Sequence, residues 1–139
     1  MALKVPQEGE IELLDKMLKD ALSTDESYLL RLYKNNKTPV DADGTSDYTV
    51  ATFTDYYNRT LTRTLWNAAQ TNGTKAESSY GTAPESWTCG ATGNTIYGYW
   101  VEAATSNKCL WAERFATSRV LADGDVLNIT PKFTLTSES

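Results

Sequence analysis

Histidine is absent from all 139 residues, and that absence removes much chemistry. Without an imidazole there is no Ser-His-Asp or Cys-His nucleophile system, and the commonest transition-metal ligand is missing. An enzyme built on this chain would have to work with carboxylates, Tyr, Lys or a borrowed cofactor. No catalytic, cofactor-binding or metal-binding residue is therefore assigned, and a non-enzymatic role is expected. Cysteine is almost as scarce. Cys89 and Cys109 are the only two, they form no CxxC pair, and they are expected to be free, buried thiols of a cytosolic chain. Basic residues are too few and too scattered for a nucleic-acid partner: 13 Lys and Arg stand among 18 acids, for a net charge of −5. A phosphate backbone wants a basic stripe. Long apolar runs are missing too. No stretch approaches the length of a bilayer span, and the opening MALKVPQEGE lacks the apolar centre of a signal peptide, so no membrane partner is expected. Four glycosylation triplets, at Asn36, Asn58, Asn72 and Asn128, then read as by-products of a Thr-rich sequence.

What is present is the composition of an ordinary globular domain, with 40% apolar and 22% charged residues. No internal repeat and no linker divides it, so one domain is expected over residues 1–139, with an N-terminal arm and helix at 1–22 and a β-sandwich at 23–139. The helix is predicted from "EGEIELLDKMLKDAL", where Ile11, Leu14, Leu18 and Leu22 recur at spacings of three and four. Glu8, Glu10 and Glu12 load its start and Lys16 and Lys19 come later, as the helix dipole favours. After Ser27 the period changes. Strands are predicted at 28–33, Thr49–Thr54, Asn58–Trp66, Ser86–Cys89, Thr95–Ala103, Lys108–Phe115 and Val126–Thr136. Residues 67–85 read as a long polar loop. One helix followed by seven or eight short strands gives a mainly β protein, an antiparallel sandwich or jelly roll.

The most ordered stretch is "IYGYWVEAATSNKCLWAERF", a predicted hairpin turning at 104–107. Alternation puts Tyr97, Tyr99, Val101 and Ala103 on one face of the first strand and Ile96, Gly98 and Trp100 on the other. On the return strand it puts Cys109, Trp111 and Glu113 on one face and Leu110, Ala112 and Arg114 on the other. Both faces carry large apolar groups, so the hairpin is expected at the centre of the fold. Gly98 between aromatics suggests a bulge or a close backbone approach.

Few clusters offer chemistry. Asp41, Asp43 and Asp47 around Gly44 resemble part of a calcium loop, but the later bidentate Glu is missing and a solvated turn is the simpler reading. Asp123 and Asp125 flank Gly124, which reads as a tight turn before a strand rather than a metal or catalytic dyad. Glu102 and Glu113 lie on facing strands and have the residue types of a glycosidase pair. Lys108 or Arg114 gives each a simpler salt-bridge partner. Tyr97, Tyr99, Trp100 and Trp111 have rings that stack on sugars in some β-sandwich modules, although strand aromatics more often belong to a core or an interface.

Four stretches resemble small virion proteins of tailed bacteriophages: the V-P-x-x-G-E start at Val5–Glu10, "LRLYKNNKTP", the Y-G-Y and W-A-E-R-F pair, and the G-D turn before "TPKFTL". The resemblance runs through nearly the whole chain in order, and the YGY…WAERF pair is its most specific part. It implies a jelly-roll-like structural protein, a cement or decoration protein on the outer capsid surface. The implied partners are the major capsid protein and further copies of the chain in a small homo-oligomer. The alternatives are a head–tail, tail or fibre-base component, or a glycan- or receptor-binding module.

Overall fold

The computed structural model describes residues 3–6, 9, 27–62, 65–67, 70–72 and 75–135. The helix predicted over 8–22 falls outside these residues, apart from Gly9. Among the described residues there are ten strands, β1 (Leu3–Lys4), β2 (Tyr28–Tyr33), β3 (Arg59–Leu61), β4 (Gln70–Asn72), β5 (Lys75–Ser79), β6 (Glu85–Thr88), β7 (Thr95–Ala103), β8 (Cys109–Val120), β9 (Val126–Ile129) and β10 (Lys132–Leu135). They form a five-stranded sheet in the order β1-β8-β7-β2-β3, a three-stranded sheet β10-β5-β4 and a pair β6-β9. Every ladder is antiparallel. The protein is mainly β, as its aromatic and β-branched segments predict.

The central hairpin β7–β8 is where expected, because its Tyr, Trp and Val side chains suit a pleated, half-covered surface. β8 is longer than predicted and runs on to Val120. Three predictions need correction. The polar stretch 67–85 is not a loop: it holds β4, β5 and the start of β6. Those strands are polar because each draws its order from partners elsewhere, β5 from β10 and β6 from β9. Thr49–Thr54 is not a strand. It makes one bridge, Val50 to Tyr33, and then enters a turn in which the Tyr56 N–H donates to Phe53 O at 3.0 Å and Asp55 takes a φ of 72°. Val126–Thr136 is not one strand but two in different sheets. Pro131 lies between them and has no N–H to carry the ladder through, so the chain changes sheets there.

One face of the large sheet supplies Leu30, Leu32, Leu61, Tyr99, Val101 and Trp111 to the main core. The two smaller sheets fill the same core with Trp87, Leu127 and Ile129, and Phe133 packs against it. Trp111 is the hub. Its ring is 4.9 Å from Phe133, 5.8 Å from Trp66 and 6.4 Å from Tyr28, centroid to centroid. A second cluster of Tyr33, Tyr48, Trp100, Cys109 and Ala112 forms separately. Both faces of the β7–β8 hairpin are thus buried, which explains why it carries large apolar groups at both parities.

Candidate functional site

The hairpin departs from simple alternation at two places, and these decide which side chains meet. Val101 pairs with Trp111 but Glu102 pairs with Cys109, so Leu110 is an extra residue on β8. Leu110 and Trp111 therefore enter the main core together, while Cys109 and Ala112 enter the second cluster. The predicted grouping of Cys109 with Trp111 and of Leu110 with Ala112 fails for this reason. The second departure is larger. Gly98 pairs with Arg114 and Ile96 with Arg119, so Tyr97 alone stands against residues 115–118. Ile96 and Tyr99 consequently share the main core, although strict alternation would part them.

Glu102 and Glu113 are both buried, 4% and 3% exposed, but they serve opposite faces of the sheet. Glu102 forms an ion pair with Arg31 Nε, beside the second cluster. Glu113 accepts a hydrogen bond from Tyr99 Oη at 3.1 Å, on the main-core side. The two carboxylates cannot flank one bond, so no glycosidase pair exists. Neither uses the partner predicted for it. Arg114 instead donates to Asn36 Oδ1 at 2.7 Å and lies over the Tyr97 ring at 5.3 Å. Burial, followed by the charge and hydrogen bond of Glu113, pushes the Tyr99 hydroxyl well above the ordinary tyrosine range.

The Asp41–Asp47 loop is a stapled turn. Asp43 accepts hydrogen bonds from the Val40 N–H and Tyr48 Oη, each at 2.9 Å, and ion-pairs with Lys37 at 2.7 Å. Asp47 accepts from the Gly44 N–H at 2.8 Å, and Asp41 stays exposed. Burial raises the Asp43 pKa, but Lys37, Val40 and Tyr48 outweigh it and hold the carboxyl below its usual value. Burial and the Asp43 hydrogen bond push Tyr48 far up. The sequence did not reveal that this loop delivers Tyr48 onto Trp100, stacked at 5.4 Å with 21° between planes. Beside that stack lies a shallow pocket of about 370 Å³, lined in part by Arg31, Glu102 and Asn107. At 123–125 Gly124 takes a φ of 88° and Asp125 Oδ2 accepts from the Ala122 N–H at 2.8 Å, the geometry of a tight turn. Among the described residues no three Cys, Asp or Glu side chains gather as metal ligands.

The rings considered as a sugar platform are not displayed. Tyr99, Trp100 and Trp111 are 2–3% exposed and Tyr97 is half-buried beneath Arg114. Stacking on a sugar needs an open ring face, and these three have none. Cys89 and Cys109 are not joined by a disulfide and are buried in different clusters.

A groove of about 500 Å³ lies where the sheets meet. One wall is β8, from residues 115–117 and Arg119; the other is the β9–β10 corner, residues 127–130 and Lys132. Tyr99 and Glu113 lie between them. Sequence reading missed this groove, because it depends on the break at Pro131 and on the long β8. No family model and no curated protein matches the chain. The fold and its sites therefore define a mainly antiparallel β protein.

Proposed function

We propose that the chain is a structural protein of a tailed-bacteriophage particle, a cement or decoration protein on the outer capsid surface. Its three sheets are read as a jelly-roll-like sandwich. The observation that supports this best is that the stretches carrying the resemblance touch one another. In the Y-G-Y run Gly98 lies against Tyr33 of "LRLYKNNKTP". From the W-A-E-R-F run Arg114 reaches Asn36 of that same segment, Glu113 takes the Tyr99 hydroxyl, and Trp111 packs on Phe133 of "TPKFTL". Gly9 of the V-P-x-x-G-E start abuts the Leu110 carbonyl. The stretches that carry the resemblance thus lie against one another in this fold.

In this role the protein binds the major capsid protein across adjacent capsomers and associates with its own copies as a small oligomer. Affinity comes from apolar burial, about 25 cal/mol per Å², and a stable contact of this kind buries roughly 800 Å² per partner. The N-terminal arm, residues 1–22, and the hairpin of β4 and β5 are the proposed contact elements. Virions lacking the protein should release DNA at a lower temperature than complete ones, and mass spectrometry should find capsid-wide copy number. Unchanged thermal release would sink the cement role, and a copy number of a few per particle would move the protein to the head–tail region.

A further inference from the structure

The groove between β8 and the β9–β10 corner carries an inference that does not depend on which assembly holds the protein. Among the described residues strand β8 is flanked by β1 only at Ala112 and Glu113, and on its other side its ladder with β7 lapses between Arg114 and Arg119. Residues 115–118 therefore have no ladder partner on either flank among the described residues. Ala116 and Thr117 are exposed. An extended strand with unpaired backbone groups beside a groove is a template for another extended segment.

The charges choose the segment. Of the two acids at the groove, Glu113 is buried and holds Tyr99, and Glu77 accepts from Thr134 Oγ1 at 3.5 Å. The two cations, Arg119 and Lys132, enter no ion pair among the described residues. A protein with a net charge of −5 thus presents two positive groups without an ion pair at this groove. A second copy offering the same edge would bring the same cations, which disfavours self-pairing here. We propose that this groove binds an extended acidic peptide segment of another protein, added as a strand along residues 115–118 with its carboxylates at Arg119 and Lys132. Four residues of such a strand span about 13 Å. Backbone pairing supplies affinity and the cations supply selection for acids.

The test is an amide NMR titration of the ¹⁵N-labelled protein with three synthetic octapeptides. One alternates Thr and Glu, one alternates Thr and Lys, and the third is the Thr-Glu peptide with proline at its two central positions. Shifts confined to 115–119 and 130–132 are expected with the Thr-Glu peptide, weakened at least ~10-fold for Thr-Lys at low salt. The proline peptide should lose binding, because it cannot complete a ladder. Arg119→Glu combined with Lys132→Glu should keep the thermal unfolding midpoint and invert the preference toward Thr-Lys. Equal binding of both charged peptides, shifts elsewhere, or no shifts would overturn the proposal. So would retained binding of the proline peptide. Concentration-dependent shifts of the peptide-free protein at 115–119 would show that a second copy is the occupant instead.

Discussion

Replacing Gly98 by alanine should destabilise the protein through one methyl group. Gly98 sits in the middle of the large sheet, paired with Tyr33 of β2 and Arg114 of β8. A Cβ there would strike the Glu113 carbonyl oxygen and approach Tyr33 to 2.5 Å at its hydroxyl and 2.7 Å at its ring. The carbonyl belongs to a central strand and cannot swing aside as a side chain would. Overpacking of this kind costs about 1–3 kcal/mol, and removing a strand glycine returns roughly 0.5–1 kcal/mol. The expected net loss is about 2 kcal/mol, since the obstacle is backbone. With a urea slope of about 1.5 kcal/mol/M, the midpoint should fall by about 1 M or somewhat more at constant slope. Tryptophan fluorescence reads the transition, because Trp87 and Trp111 are buried in the main core. A second variant isolates the cause. In a Tyr33→Leu background the same substitution should cost about 1 kcal/mol less, but not nothing, because the Glu113 carbonyl remains. A midpoint within ~0.3 M of the parent, or no coupling to Tyr33, would refute the reasoning.

Two further outcomes follow from buried polar groups. Asp43 has its pKa lowered in the folded protein, so its contribution is complete above the unfolded value of about 3.9 and is lost as pH falls through the lowered one. Asp43→Asn should therefore be less stable than the parent at pH 7, and urea midpoints of the two should converge toward pH 2; a constant gap would contradict the pairing with Lys37. Cys89 and Cys109 are buried, and burial raises the Cys89 thiol above its ordinary value. A colorimetric thiol reagent should leave both unmodified in the folded protein and titrate both in denaturant without prior reduction; rapid native labelling of either would count against their placement.

The parts of this fold legible in the sequence are those whose side chains carry the reason for their own order. β2 and the β7–β8 hairpin were readable because aromatics and β-branched residues recur along them. The β4–β5 hairpin was not, since "QTN" and "KAESS" have no apolar stripe and take their order from β10. Nor did alternation reveal the extra residue at Leu110, although the unbroken apolar run Cys109–Ala112 is the trace it leaves. That one residue parts Glu102 from Glu113, so the apparent acid pair dissolved once register was known. The turn at 123–125 read correctly because Gly124 and the short Asp side chains act locally, whereas the turn at 41–47 is not the solvated one expected, since Asp43 is buried and paired with Lys37. The Tyr48–Trp100 stack and the groove at β8 join residues remote in sequence, and no local pattern encodes them.

The change of sheets at Pro131 sets a timetable for the growing chain. β5 and β6 leave the ribosome before the strands that complete them, β10 and β9. Until then Trp87 and Trp111 lack their C-terminal cover, Leu127 and Phe133, and two strand edges stay open. Closure must therefore wait until β9 and β10 have been made, and the nascent protein passes through a sticky interval in which distant pairings are still owed.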